Sequence, residues 1–328
     1  MAQEMAPWIT YRPELKVLDC TIRDGGLINN HKFSDKLVRA VYDACVAAGV
    51  DYMEVGYKGS PKQHSSSDFG PWKFCDESVL DKLFEDHDAE KTGLKLTVMA
   101  DAGKCEWREQ IAPRAQSKLD MIRVAFYAHQ LSEAVEMIEH CHELGYETAA
   151  NLMAVSSIQE IEVDTVLAAI AGTPAQVMVI VDSFGNLYRE QVDRLYNKYS
   201  AAMSGTGKDI GMHAHNNLQL AFANTIEAII LGANRVDATM GGLGRGAGNC
   251  PMELLLGFLR NPKFHLRPII SLLQNHIEPL KSTVEWGPYV QYNITGQLNM
   301  HPRAAMQSRA SKEKDDYLKF YDQVVTDE

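Results

Sequence analysis

The sequence predicts an α/β fold: a closed (β/α)8 barrel with a small, mainly helical C-terminal appendage. Three observations predict it. Eight strand-like runs alternate with amphipathic segments along most of the chain. The length, 328 residues, is long for one ordinary domain but normal for such a barrel with an addition. The pattern then changes after residue 260, where Asn261-Pro262 and Arg267-Pro268 interrupt it. The expected division is therefore a catalytic barrel over 1–260 and an appendage over 261–328.

In chain order, the strands are 16–23 (KVLDCTIR), 51–57 (DYMEVGY), 94–100 (LKLTVMA), 121–127 (MIRVAFY), 147–154 (ETAANLMA), 176–182 (QVMVIVD), 209–215 (DIGMHAH) and 235–240 (RVDATM). Each is a short run rich in apolar residues. Amphipathic helices are expected over 35–48, 131–144, 156–171, 188–203 and 218–231, where apolar positions recur at three and four. Gly49, Gly145 and Gly232 follow helices, where a left-handed cap is wanted. Residues 58–76, KGSPKQHSSSDFGPWKFCD, form a long polar loop after the second strand. Loops on that face serve active sites, and Trp72 and Phe74 argue against a disordered insertion. The tail 269–328 is helical in character and ends in a charged segment.

Composition narrows the function. The chain is 45% hydrophobic and 23% charged, an ordinary globular balance. Its net charge of −11, with no basic block, makes nucleic acid and anionic membrane poor partners. No apolar run reaches transmembrane length, and MAQEMAPWITYRPEL has no signal-peptide core. Cys20, Cys45, Cys75, Cys105, Cys141 and Cys250 lack CxxC spacing. They read as reduced thiols of a cytoplasmic protein, not as a zinc knuckle or disulfide frame.

The chemistry gathers where strands end. His213 and His215 are two apart, so on a strand both imidazoles face the same way, about 6–7 Å apart at the backbone. The first strand runs into Arg23-Asp24-Gly25-Gly26. In a closed barrel, strands one and seven are separated only by strand eight, a gap of about 10 Å that inward side chains can close. Asp24, His213 and His215 can therefore meet. One carboxylate and two imidazoles leave open positions for substrate and suit Mn²⁺, Mg²⁺, Fe²⁺ or Zn²⁺. The eighth strand runs into a glycine-rich loop, 241–249, whose backbone N–H groups can meet an anion. Arg245 in that loop can pair with a carboxylate or phosphate.

Two motifs, DCTIRDGG at 19–26 and HAHNNLQLAFANTIEAIILGANRVDATMGGLGRGAGNCPMELLL at 213–256, resemble the DRE-TIM metallolyase superfamily, the HMG-CoA lyase-like enzymes. Within it the nearest likeness is to the 4-hydroxy-2-oxovalerate aldolases, across roughly residues 15–260. The resemblance implies a divalent metal on Asp24, His213 and His215, with Mn²⁺ expected ahead of Mg²⁺, Co²⁺ or Zn²⁺. It implies a small-molecule 2-oxo acid substrate, cleaved to pyruvate and an aldehyde, with Arg23 steadying the enolate. Gly244, Arg245 and Asn249 would bind substrate, and a homo-oligomer is allowed. Gly287-Pro288-Tyr289-Val290-Gln291-Tyr292 resembles the segment whose tyrosine protonates the enolate, with Tyr292 in the matching place and Tyr289 its rival.

Three departures stand out. Leu27 occupies the position of the aldolases' histidine base, and Gly246 that of the lyases' cysteine. The tail is too short for the large region that acyl-CoA synthases carry after the barrel. His31, four residues after Leu27, is the expected substitute base; His64 or a metal-bound hydroxide are the alternatives. Two other functions fit the same residues: Claisen-type condensation of an acyl-CoA with a 2-oxo acid, and a non-catalytic scaffold.

Overall fold

The computed structural model describes residues 12–326; most of the N-terminal stretch read above for a leader lies outside them. The eight apolar runs become β1 (Lys16–Asp19), β2 (Tyr52–Tyr57), β3 (Lys95–Asp101), β4 (Met121–Phe126), β5 (Glu147–Leu152), β6 (Val177–Asp182), β7 (Asp209–Ala214) and β8 (Arg235–Ala238). They pair in parallel in sequence order, and β8 closes on β1 with Leu18 opposite Asp237. Helices between the strands bury their apolar faces on the outside of this barrel. The helix Asp35–Ala48 shows why the pattern was readable. Ser34 caps its start by accepting the Leu37 N–H at 3.3 Å, and Gly49 ends it at φ 73°. Leu37, Val38, Val41, Tyr42 and Cys45 form the buried face between those caps.

Three expected boundaries shift. The first strand stops at Asp19, and Thr21–Gly25 is a helical turn, so Arg23 and Asp24 sit on that turn above β1. Thr21 Oγ1 donates to Asp19 at 2.5 Å, and the Asp24 N–H closes the turn on the Cys20 carbonyl at 2.8 Å. Every residue of the turn is buried, and a buried turn carries the same apolar signature as a buried strand. The helix after β7 begins at Ala221, whose N–H is accepted by Asn216 Oδ1 at 3.1 Å. The helix after β5 begins at Glu160, behind a separate short turn at Val155–Ser157.

The long loop after β2 is folded onto the loop after β1. Trp72 is fully buried, and its indole N–H donates to the Phe33 carbonyl at 3.1 Å. After residue 260, the helix Leu266–Leu272 packs on Asp35–Ala48. The helices Val290–Gln297, Arg303–Arg309 and Tyr317–Thr326 gather around their own small core of Ala247, Tyr292, Ala305, Phe320 and Val324. Among the described residues no helix is long and apolar enough to cross a membrane. All six cysteines are free and buried.

Candidate metal centre

Asp24, His213 and His215 converge at the C-terminal end of the barrel. One ligand atom from each lies within 4.8 Å of the other two. Asp24 Oδ2 is 3.7 Å from His213 Nε2 and 3.9 Å from His215 Nε2. The turn after β1 brings the carboxylate over the barrel axis, and the parity of β7 brings both imidazoles to it.

The donors are prepared for a cation. Burial pushes the Asp24 carboxyl up, but Arg23, His215, His213 and Asn249 outweigh it and hold the group ionised, well below the ordinary range. Burial, Arg245 and Arg23 hold the His215 imidazole far below its ordinary pKa against the pull of Asp24, so it is neutral with a free lone pair. His213 Nδ1 is bound to Asp237 Oδ2 at 3.0 Å, which directs Nε2 at Asp24. That Nε2 is buried and has no hydrogen-bond partner. A carboxylate orienting a histidine whose other nitrogen is free is the usual support of a metal ligand. These residues fit a divalent ion.

A ring of charge surrounds the trio. Arg23 donates through Nη1 to Asp24 at 2.5 Å and through Nε to Glu54 at 2.6 Å. Arg123 donates to the same Glu54 oxygen at 3.0 Å, to Asn151 at 3.0 Å and to Asp237 at 2.5 Å. Asp237 leads back to His213. Arg23 Nη2 is left buried with no partner. Glu54, Arg123 and Asp237 were not anticipated from sequence. The available signal was a charge in the interior of each of the runs YMEVGY, MIRVAF and RVDA, where burial of an unpaired charge is prohibitive.

The glycine loop seals one side. Asn249 Nδ2 donates to Asp24 Oδ1 at 3.0 Å, and the Arg245 N–H donates to the same oxygen at 3.1 Å. One backbone donor of this loop, the Arg245 N–H, thus serves the protein's own aspartate. A Cβ on Gly244 would lie 2.6 Å from Asp24 Oδ1 and closer still to Asn249, so only glycine allows the approach. Asn217 holds the loop in place, accepting the Ala247 N–H at 3.2 Å and donating to the Phe184 carbonyl at 2.8 Å. The Arg245 guanidinium meets His301 at 3.1 Å and the Ser183 carbonyl at 3.1 Å, with Nε buried and unpartnered.

The other anticipated residues fall in two places. His31 is buried, at φ 58°, with its Nδ1 unpartnered against Gly26 and its ring edge-on to Tyr57 at 5.3 Å. Burial, Lys73 and Arg23 push its pKa down to about 3, with Asp24 opposing. Leu27 packs in an apolar cluster with Tyr57, Met99, Ala125 and Met153. His64 rests edge-on against Phe69 in the loop after β2. Tyr292 lies behind the glycine loop, beside Gly246, in the appendage's own core. Glu285, Arg309 and Tyr289 are the groups acting on its hydroxyl, which burial pushes up to about 12.

Residues 14–271 match the family described as HMGL-like. The chain is 28% identical over 254 residues to a 4-hydroxy-2-oxovalerate aldolase of Pelotomaculum thermopropionicum, covering 77% of this chain and 72% of that one. It is 30% identical over 250 residues to an oxaloacetate decarboxylase of Mycobacterium tuberculosis, covering 74% and 69%. Among solved structures, the N-terminal domain of a provisionally named aldolase from Bacteroides vulgatus superimposes with a TM-score of 0.76 at 29% identity, covering 89% of this chain and 96% of that one.

Proposed function

The chain belongs to the HMGL-like family of DRE-TIM lyases, and on that premise we propose that it is a divalent-metal-dependent aldolase cleaving a 4-hydroxy-2-oxo acid to pyruvate and an aldehyde. One observation carries the proposal: three metal donors and a buried guanidinium nitrogen with no partner share one site. A divalent ion held by Asp24, His213 and His215 would supply Lewis acidity toward the oxygens of a 2-oxo acid. Arg23 is fixed on two sides by Asp24 and Glu54, which leaves Nη2 to donate where negative charge develops on the enolate oxygen. Its orientation is set before substrate arrives, so little reorganisation is needed during reaction.

The 4-hydroxyl must lose its proton as the C3–C4 bond breaks, and Leu27 cannot take it. His31 is the base in this reading, because it is neutral near pH 7 and its Nδ1 has no partner. Tyr292 keeps its proton at working pH and serves as the acid that completes pyruvate. Arg245, on the loop that also presents Gly244 and Asn249, neutralises an acidic part of the substrate. Pyruvate release from a panel of 4-hydroxy-2-oxo acids, in the chelated enzyme and after Mn²⁺ is restored, tests the proposal. No pyruvate from any member with Mn²⁺ restored would overturn it.

Leu27 also favours a second reading, decarboxylation of a 2-oxo diacid. That reaction breaks a carbon–carbon bond to the same enolate without taking a proton from a hydroxyl. Oxaloacetate in the same assay, read as CO2, separates the two.

A further inference from the structure

Two lysines after β2 are buried, and they differ in their partners. Lys58 donates to Glu77 at 2.8 Å and to the Cys75 carbonyl at 2.7 Å. Lys73 is 7% exposed, yet among the described residues no carboxylate lies within ion-pair distance of its ammonium and no oxygen accepts from it. Asp101 is the acid whose charge reaches Lys73, and that carboxylate is paired with Lys104 at 3.6 Å. The stem is buried, while the ammonium is not among the enclosed unpartnered atoms and so stays open to a ligand without a counter-ion of its own.

The position of Lys73 is fixed. Its carbonyl accepts the Gly59 N–H at 2.9 Å, and a Cβ on Gly59 would come within 3.0 Å of its Cε. The ammonium stands 4.4 Å from the Tyr57 ring centre and 5.9 Å from that of Phe69. Tyr57 is the last residue of β2, on the catalytic face, and His31 packs on its edge. The same ring belongs to the apolar wall of Leu27, Met99, Ala125 and Met153. The cation thus stands over a ring that touches His31 on one edge and borders that apolar wall on another. Burial and Lys104 weaken its hold on its proton, with Asp101 opposing, and an arriving anion would relieve that strain.

We propose that Lys73 determines specificity by receiving a carboxylate at the far end of the substrate's aldehyde half, with the intervening carbons lying on the Tyr57–Met99–Leu27 wall. The preferred substrate is then a 4-hydroxy-2-oxo acid with a second, terminal acid group. The proposal rests on the lyase reading for where the 2-oxo acid end sits. A single ammonium over an aromatic ring suits a carboxylate; a phosphate would call for more donors.

Binding tests it without turnover. 2-Oxoadipate and 2-oxohexanoate have the same chain length and lack the 4-hydroxyl, and only the first has a terminal carboxylate. Calorimetric titration of the Mn²⁺-loaded enzyme should show the diacid binding about tenfold to a hundredfold more tightly, the span of one charge-assisted hydrogen bond. Lys73→Met keeps the stem and should abolish the preference, and Lys73→Arg should restore part of it. Thermal melts check that both variants fold. Equal affinities in the wild type, or a preference that survives in Lys73→Met, would overturn the proposal. Pyruvate release from matched acidic and neutral tails, run in parallel, tests the lyase reading separately. Its failure with both tails would remove the aldolase, and the titration would still decide Lys73.

Discussion

The two ends of the barrel both gather charge, half-buried at the N-terminal end and buried at the C-terminal end, and treat it in opposite ways. At the N-terminal end, Arg235 donates to Asp209 at 2.7 Å, to Tyr52 at 2.7 Å and to Glu147 at 3.1 Å. Tyr52 and Lys95 complete Glu147 at 2.9 and 3.0 Å. Each of these five is the first residue of its strand or of its strand's pairing ladder, and none leaves a buried polar atom unmet. At the C-terminal end, Arg23, His31, Glu54, His213, Arg245 and Asn249 each keep one buried polar atom without a partner. Saturated networks hold a fold together; unsaturated ones wait for a ligand. The same side-chain types thus mark stability at one end and chemistry at the other.

Four experiments would break or sharpen that contrast. The largest effect is expected from His215→Ala, which should remove the metal and with it all lyase activity while the apo protein melts near the wild-type temperature. Full metal occupancy by elemental analysis would take His215 out of the centre. Arg23→Lys should lower kcat by about 10²–10³, the usual scale for one oxyanion donor. A kcat near normal would show that the free Nη2 serves no reacting oxygen. At the saturated end, Arg235→Met should cost about 2–3 kcal/mol in urea unfolding, somewhat under a fully buried pair, and leave kcat alone. Lost activity at unchanged stability would erase the distinction between the two ends.

The smallest effect concerns pH. His31 titrates near 3 in the folded chain, below the ordinary histidine value of about 6.5 expected when unfolded. Between those values the unfolded state binds the extra proton, so stability falls as pH falls, by on the order of 1 kcal/mol per pH unit. His31→Asn should flatten the melting temperature between pH 4 and 6, a window of about two units. Parallel wild-type and variant curves would mean that His31 is not held neutral. The low value also moves any acid limb due to His31 down to about pH 3, about three and a half units under the ordinary value.

The barrel was legible because each strand is a separate apolar run and each helix has its own period and cap. The metal trio was legible because two short motifs fall at the ends of strands that closure makes near neighbours. What was missed depends on tertiary contacts. Thr21, Ile22 and Arg23 read as strand because they are buried, and only the Asp19–Thr21 bond shows the chain turning off the sheet. Glu54, Arg123 and Asp237 lie inside strands, away from the ends where catalytic groups were sought, and only their mutual distances show one ring. Lys73 looked like one more lysine in a polar loop, since its burial depends on Trp72 and Gly59 docking elsewhere.

The charge ring has a thermodynamic consequence. Three carboxylates, Asp24, Glu54 and Asp237, face two guanidiniums, Arg23 and Arg123, a sum of −3 + 2 = −1. A 2-oxo acid is an anion, and that ring alone does not attract it. A divalent ion changes it to +1, which attracts the acid. Ion and substrate therefore promote each other's binding, and linkage makes the promotion equal in both directions: whatever factor the ion adds to substrate affinity, substrate adds to the affinity for the ion. On the metal-dependent reading, the enzyme would hold its metal most tightly while it is working and would lose it when starved of substrate.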